Sequence, residues 1–254
     1  MARWSYIAVA CLLFFVIGSA SSLAARLDWQ TIRSVLSERE VRFALGLSVC
    51  TSLTSLTLAV CIGIPAAWAI VHGNLPCKGL FNLLLDIPMV TPPLVVGLGL
   101  LLLLGQSGIF GRSFISERLF SPAGVIIAQT YVASAIFTRS AISAFMSIDR
   151  NYIDAAHNLG LRPGGTLFLV EVPLVWRPLL GGAILAASRA IGEFGATLML
   201  AGATRMKTET LPVAIFLNIA TGDLEAAIVC AVLLMGIALF LLLFLHIAQG
   251  KDGK

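Results

Sequence analysis

Long apolar runs alternate with short polar connections along the whole chain. Runs free of Asp, Glu, Lys and Arg cover five ranges: 4–25, 43–77, 87–111, 119–138 and 226–250. Because a helix needs about 20 mostly apolar residues to cross the hydrocarbon core of a bilayer, each run is long enough to span a membrane. The pattern therefore predicts a polytopic α-helical membrane protein.

A sixth run, 174–201, is equally long but carries charges at Arg177, Arg189 and Glu193. With this run included, we expect an all-α membrane protein with a single transmembrane domain over residues 1–254. The six spans are placed near 5–25, 45–71, 84–105, 122–146, 176–200 and 226–247. Prolines and glycines within the spans, such as Pro65, Pro92, Pro93 and Gly97, predict kinked helices. Either close packing of neighbouring helices or a bend that lines a path through the membrane would explain them.

Composition supports the membrane class and excludes others. The chain is 58% hydrophobic and 12% charged with a mean hydropathy of +0.96, whereas soluble domains carry about 25% charged residues. The net charge of +4 comes from basic residues scattered at the ends of the apolar runs, so nucleic-acid binding is not expected. The cysteines show no metal-binding spacing, and we expect no metal site and apolar packing roles for Cys11, Cys50, Cys61, Cys77 and Cys230.

The first run allows two interpretations. Arg3 precedes its apolar core and Ala20, Ser22 and Ala24 are small, which also fits a cleaved signal peptide. Retained as a span, it brings the number to six and places both termini on one side. Lys and Arg are balanced between the two faces, so the positive-inside rule gives no orientation.

The polar segment 147–175, between the fourth and fifth spans, has the pattern of a short surface helix. Asp149 is a suitable N-cap, and Gly160 is placed to end the helix in a Schellman turn against Leu161. A second short helix is predicted near 166–171. The small residues Ala155 and Ala156 would allow another protein to approach closely.

This segment resembles a known family. Asp154-Ala155-Ala156, three residues, Gly160, nine residues and Val170-Glu171-Val172-Pro173 are similar to the "E-A-A, x3, G, x9, I-x-L-P" signature of binding-protein-dependent ABC importer permeases. Asp154, Val170 and Val172 depart mildly from that signature.

The resemblance implies a type I ABC importer permease fold with 147–175 as the cytoplasmic coupling loop. Asp154, Ala155, Ala156, Gly160 and Pro173 would then couple the chain to two cytoplasmic ABC ATPase subunits. It also implies a homodimer in the lipid bilayer of a prokaryotic plasma (inner) membrane, both termini in the cytoplasm, and an extracytoplasmic substrate-binding protein. The chain has no G-x-x-x-x-G-K-[ST] sequence. It is therefore not expected to be an enzyme or to bind a cofactor, and ATP and Mg would be bound by the partner.

A second resemblance narrows the substrate. The segments 188–199, 207–212 and 87–99 are similar to the molybdate and sulfate permease branch, and the Ala-Thr-Leu-Met ending at 196–199 favours molybdate or tungstate. The expected function is import of a tetrahedral oxyanion, with sulfate or thiosulfate as the alternative anion.

Arg189 and Glu193 are the main candidates for the translocation path. A charge at the bilayer centre costs about 2.5–3.5 kcal/mol, and their spacing of four allows an ion pair. Ser188 and Thr197 would extend the same helix face, and Thr91 would add a hydroxyl. A purely structural ion pair is the open alternative. Arg139, near the end of the fourth span, is predicted to extend to the cytoplasmic interface.

Two other classes of protein are possible from the sequence. A gradient-driven secondary transporter would explain Arg189 and Glu193, but it would usually show an internal repeat and would leave 147–175 unexplained. An intramembrane enzyme is disfavoured because His72, His157 and His246 are far apart and no H-E-x-x-H or G-x-S-x-G sequence occurs.

Overall fold

The computed structural model describes residues 2–73, 75–106, 108 and 116–249, and in this part of the chain the regular structure is entirely helical. A 3₁₀ turn covers Ser116–Arg118 and a π-helical turn covers Leu167–Glu171. The α-helices are α1 (Ala2–Ala24), α2 (Trp29–Ser37), α3 (Arg39–His72), α4 (Lys78–Val90), α5 (Pro93–Leu104), α6 (Pro122–Met146), α7 (Arg150–Asn158), α8 (Pro163–Thr166), α9 (Val172–Leu174), α10 (Trp176–Ile191), α11 (Gly195–Ala201), α12 (Leu211–Thr221) and α13 (Leu224–Gln249).

The membrane-spanning pattern is confirmed, with two spans broken. Four helices of the described residues, α1, α3, α6 and α13, are long and apolar enough to cross a membrane. Two bent pairs raise the number to six if each pair is counted as one span. The chain is accordingly a multi-pass membrane protein.

The predicted third span, 84–105, bends sharply in its middle. α4 ends at Val90 and α5 begins at Pro93, with an angle of 114° between them. The Pro92-Pro93 pair explains the bend, because proline lacks the N–H that would continue the ladder of α4 and disfavours helical geometry at the residue before it.

The predicted fifth span, 176–200, is wrong as a continuous helix. α10 stops at Ile191, residues 192–194 are not helical, and α11 begins at Gly195. At its other end α10 meets the 163–174 arm at 81°. Non-helical backbone within a membrane protein is tolerated only where it is buried in protein or lines a cavity. We therefore expect the break at 192–194 to be buried or to line a cavity.

The core lies between α3, α6 and α10. Its largest buried side chains are Phe137 and Phe145 of α6. Gly63 of α3 sits directly on α6, since a methyl group added there would lie 2.6 Å from Phe137 Cδ1. Close backbone approach at small residues is a general device of helix packing in membranes.

The cysteines and α1 lie mostly outside this core. Cys230 is buried as predicted, but the packing role is wrong for Cys11, Cys50, Cys61 and Cys77, which are exposed on the surface of the single chain. The apolar window of α1 buries none of its residues, and the helix lies along α13.

Candidate translocation and coupling sites

The predicted third and fifth spans cross each other close to the bend at 91–92 and the break at 192–194. A methyl group on Gly195 of α11 would lie 2.9 Å from Pro93 Cβ, and one on Gly97 of α5 would lie 2.8 Å from the Ala196 Cα atom. Because real Cβ atoms do not approach other atoms so closely, glycine at 97 and 195 is what allows α5 and α11 to touch. The crossing brings Thr91-Pro92-Pro93 beside the break at 192–194.

Glu193 holds this break together. Its side chain is fully buried, and Oε2 accepts a hydrogen bond from Arg189 Nη1 at 2.6 Å. Its Oε1 accepts from the backbone N–H of Ala196 at 2.9 Å, which satisfies a donor in the first turn of α11. The ion pair expected from the spacing of four is thus present, although the two residues are not on one continuous helix.

Two cavities meet at Arg189. One, of about 290 Å³, is lined by Arg189, Glu193 and Pro93, among others. The other, of about 280 Å³, is lined by Arg189, Pro93 and Thr91. Arg189 is partly exposed, so its guanidinium is available to both spaces while it remains paired with Glu193.

Ser188 and Thr197 do not join this arrangement. Ser188 Oγ donates to the Ile184 carbonyl of its own helix at 2.9 Å, and Ser188 lines neither cavity. Thr197 is fully buried, and its hydroxyl has no hydrogen-bond partner among the described residues. The predicted common polar face is therefore wrong, because the helix ends at Ile191 and residue 197 belongs to α11.

Arg139 has a partner that the sequence did not predict. Its guanidinium forms an ion pair with Asp86 of α4, with Nε donating to Oδ1 at 3.0 Å, and Nη2 donates to the Asn82 carbonyl at 3.3 Å. The side chain connects α6 to α4. α4 buries none of its own residues, so this ion pair is its main polar tether.

The predicted surface helix of the 147–175 segment is α7. Asp149 caps it by accepting from the Asn151 N–H at 3.0 Å. Its end is a Schellman turn: Gly160 has φ +87°, its N–H donates to the His157 carbonyl at 2.9 Å, and the Leu161 N–H donates to the Ala156 carbonyl at 3.1 Å.

α7 has one buried and one exposed side. Ala156 is buried, whereas Ala155 and Leu159 are exposed. Asp154 is also exposed, and it lines a cavity of about 610 Å³ together with His72. Of the two small residues in the motif, Ala155 is therefore the one that another protein can reach.

The chain returns from α7 through an arm made of α8, the π-helical turn and α9. Pro173 is exposed in the first turn of α9. Glu171, the last residue of the π-helical turn, is buried and contacts two residues of α3: Trp68 Nε1 donates to Oε1 at 2.8 Å, and His72 Nε2 lies 2.8 Å from Oε2. The sequence alone did not assign a role to Glu171, Trp68 or His72.

A compact loop, 202–210, connects α11 to α12. Arg205 pairs with Glu40 at the start of α3 and donates to Asn218 Oδ1 of α12 at 3.0 Å. The pKa of Glu209 is raised, because burial of its carboxyl outweighs the hydrogen bond from the Met206 N–H, which lowers the pKa. Arg205 thus joins the loop to two helices.

Among the described residues, no group of three or more His, Cys, Asp and Glu side chains is arranged to hold a metal ion. The charged groups at the crossing are Arg189 and Glu193, supplemented by the Thr91 hydroxyl. A cation held at a partly enclosed break of two helices suits an anion better than a metal.

Comparison with known proteins places this geometry in context. The family described as binding-protein-dependent transport system inner membrane component matches residues 59–250. A molybdenum transport system permease protein of Mycobacterium bovis is 33% identical over 244 residues, which cover 95% of this chain and 92% of that protein. A probable molybdenum ABC transporter permease protein of Haloferax volcanii is 35% identical over 92% of this chain and 85% of its own length.

Relatives named for another anion are also similar. A sulfate transport system permease protein of Synechocystis is 32% identical over 86% of this chain and 80% of its own length. In structure, the chain resembles a bacterial ABC transporter involved in the import of the acidic polysaccharide alginate, with a TM-score of 0.76, 14% identity and coverage of 99% of this chain and 97% of that one. This likeness confirms the predicted ABC importer permease fold.

Proposed function

Because the chain belongs to the family of binding-protein-dependent transport system inner membrane components, we propose that it is the membrane-spanning subunit of an ATP-driven importer of a tetrahedral oxyanion, molybdate in the first place. The observation that carries this proposal is the 33% identity to a molybdenum permease across 95% of the chain. The Haloferax relative, also named for molybdenum, supports it independently.

α7 is the proposed docking element for the ATPase. It is short, its N-terminus is capped by the Asp149 side chain and its C-terminus by the Schellman turn at Gly160, and it presents Ala155 and Leu159 outward. A rigid helix with a small exposed residue suits insertion into a cleft of another protein. Asp154, Gly160 and Pro173 would serve the same coupling by shaping the helix, its end and the return arm.

The crossing of the broken spans is the proposed translocation path. Arg189 supplies a cation and Thr91 a hydroxyl donor beside cavities of about 290 and 280 Å³. Both groups suit a tetrahedral dianion, because charge-assisted hydrogen bonds to anionic oxygens are strong. Glu193 holds Arg189 in place, and Ser188 and Thr197 stay candidate path residues that lie outside the lining of these two cavities.

The proposed mechanism is alternating access in an assembly of two copies of the chain in the lipid bilayer of the inner membrane, two cytoplasmic ATPase subunits and an extracytoplasmic binding protein. The binding protein delivers the anion to the face of the 202–210 loop. ATP binding and hydrolysis on the partners, which hold ATP and Mg, move α7, and the path opens towards the cytoplasm, where both termini lie.

Docking is tested by comparing Ala155→Arg with Ala220→Arg. Both residues are exposed alanines on short helices, but Ala220 lies on α12, far along the chain from α7. We expect Ala155→Arg to lose co-purification with the ATPase and anion-stimulated ATP hydrolysis in nanodiscs. Ala220→Arg should still co-purify. If both variants assembled equally with the ATPase, the proposal that α7 is the docking element would be wrong.

The anion is tested by uptake in proteoliposomes that contain the complex and its binding protein. The sulfate-permease relative makes sulfate the second candidate, and tungstate shares the chemistry of molybdate. We expect labelled molybdate to accumulate in the proteoliposomes when ATP is supplied. A large excess of unlabelled sulfate should not reduce this accumulation. Uptake of sulfate that molybdate does not reduce would assign the chain to the sulfate branch, and uptake without ATP would favour a gradient-driven transporter.

A further inference from the structure

Glu171 is a buried carboxylate for which the proposed function supplies no role. It ends the π-helical turn, is 1% exposed, and follows the apolar residues 167–170 on the return arm. Burying a carboxylate is unfavourable unless it is paired and hydrogen-bonded. An apolar residue at this position would pack without that cost, so the carboxylate indicates a directional contact.

Both carboxylate oxygens are used, and both contacts come from α3. Trp68 Nε1 donates to Oε1 at 2.8 Å, and His72 Nε2 lies 2.8 Å from Oε2. Trp68 and His72 are four residues apart, face the same side of α3, and have ring centroids 5.6 Å apart. Two contacts on successive turns fix the arm along α3 and also fix its rotation, which non-directional apolar packing does not do.

Glu171 lies between the proposed docking helix and the helix that carries Arg189. Towards the N-terminus, the arm is connected to α7 by the turn at Gly160. Towards the C-terminus, it leads through α9 into α10, whose far end carries Arg189. Glu171 therefore joins α3 to the arm between the docking helix and the helix that reaches the crossing. π-helical turns are frequent at functional sites, and one of them presents Glu171 here.

We infer that Glu171, Trp68 and His72 form a positioning link that transmits the displacement of α7 to α3. This inference rests on the proposed function. In it the three side chains do not touch the anion or ATP. They keep α3 and the return arm moving as one body, so that ATPase closure at α7 reaches α3 and, through their contact, α6.

Attachment of the arm to the core does not depend on the carboxylate. Leu167 and Val175 are buried in the same cluster as Phe145. Replacement of Glu171 by leucine keeps this apolar packing and removes only the two polar contacts. The consequence is that loss of coupling and loss of folding can be separated.

The test compares Glu171→Leu with Glu171→Gln in the reconstituted complex with ATPase and binding protein. The measured quantity is the number of anions transported per ATP hydrolysed. The glutamine amide can still accept from Trp68 and donate to His72, so Glu171→Gln is expected to retain the wild-type ratio. Glu171→Leu is expected to assemble with the ATPase but to lower the ratio by about fivefold or more. A wild-type ratio in Glu171→Leu, or an equal loss in both variants, would overturn the link.

A double-variant cycle tests whether the contacts act together. Trp68→Phe keeps an aromatic ring and removes the N–H donor. If the link acts as a unit, Trp68→Phe combined with Glu171→Leu lowers the ratio no further than Glu171→Leu alone. Independent, additive losses would show that the residues affect transport separately and would contradict the inference.

The link and the proposed function can fail separately. If the wild-type complex shows no anion transport, the proposed function fails, and the link is then measured in the chain alone by amide hydrogen exchange. Glu171→Leu should raise exchange in both 163–174 and the last turns of α3, whereas Glu171→Gln should not. Unchanged exchange in both segments would overturn the link irrespective of the transported substrate.

Discussion

Glu193 illustrates how one side chain stabilises a break in a membrane helix. Its two oxygens serve two different purposes, one pairing with Arg189 and the other capping the first turn of α11 through Ala196. The residue is fully buried, so neither contact can be replaced by water. The break at 192–194 is therefore a built feature of the fold.

We predict that Glu193→Ala is more harmful than Glu193→Gln. The alanine variant leaves Arg189 without its carboxylate and α11 without its cap, and we expect it to lower the free energy of unfolding by about 2 kcal/mol, after discounting for the partial exposure of Arg189. The glutamine variant keeps an oxygen for the cap and should lose about half of that. Thermal unfolding of the purified chain in detergent measures both. Identical melting of wild type and Glu193→Ala would contradict the assigned contacts.

Glu38, just before α3, predicts a dependence of stability on pH. Partial desolvation of this largely exposed carboxyl raises its pKa above the ordinary value of 4.5, Asp223 and Glu40 raise it further, and Arg205 lowers it. The folded chain therefore holds this proton more tightly than the unfolded chain, and the stability contributed by the protonated form is lost as pH rises above about 4.5. We expect Glu38→Gln to melt at a higher temperature than wild type at pH 7, with the difference vanishing near pH 4. A difference that is independent of pH would contradict this assignment.

At the scale of elements, α3 and α6 form the most extensive helix contact of the core. Gly63 has no room for a side chain, because a methyl group there would lie 2.6 Å from Phe137 Cδ1 and 2.9 Å from Thr138 Oγ1. Gly46, on the same helix, has nothing within 4 Å. The two positions form a matched pair of glycines on one helix.

We predict opposite effects of alanine at these positions. Gly63→Ala should destabilise the chain by about 1–3 kcal/mol, because α3 must move away from α6. Gly46→Ala should be neutral or slightly stabilising, since it removes a flexible residue from a helix at no steric cost. Melting temperatures of the two variants, measured side by side, test the packing. Equal shifts of the melting temperature in the two variants would contradict the close contact of Gly63 with α6.

Hydropathy predicted where spans lie but not whether they are straight. α6 begins and ends at the predicted residues 122 and 146, and α3 contains the predicted 45–71. The bend between α4 and α5 follows the proline pair, which the sequence displays. The break after Ile191 lies beside the contact of Gly195 with Pro93, a tertiary contact that no local pattern reveals.

The same limit applies to the sites. Arg189 and Glu193 are four residues apart, so their pairing was predictable from helical spacing. Glu171 is 103 residues from Trp68, and Asp86 is 53 residues from Arg139. Such contacts become visible only when the helices are packed, and the pairing of Arg139 with Asp86 was missed for this reason.

At the scale of the whole molecule, α7 and the 202–210 loop are separated by the core and belong to opposite faces in the proposed orientation. Leu159, at the end of α7, is 85% exposed, and Thr204, in the loop, is also exposed. The two side chains are therefore suitable reporters of orientation.

We predict that single cysteines at these positions react from opposite sides of the membrane. In a background in which the five native cysteines are replaced by alanine, Thr204→Cys should react with a membrane-impermeant maleimide in cells whose inner membrane is intact. Leu159→Cys should react only after the membrane is opened. The reverse pattern would place both termini outside and would make docking of a cytoplasmic ATPase on α7 impossible.

The ion pair between Arg139 and Asp86 also has an evolutionary consequence. Each partner neutralises the other near the end of a span, so a lineage that lost one charge would keep an unpaired charge there, which is unfavourable in apolar surroundings. Selection should then favour lineages in which both residues were lost or exchanged together. Among descendants of a common permease, positions 86 and 139 are expected to covary: both charged, both neutral or reversed in sign, and seldom mixed.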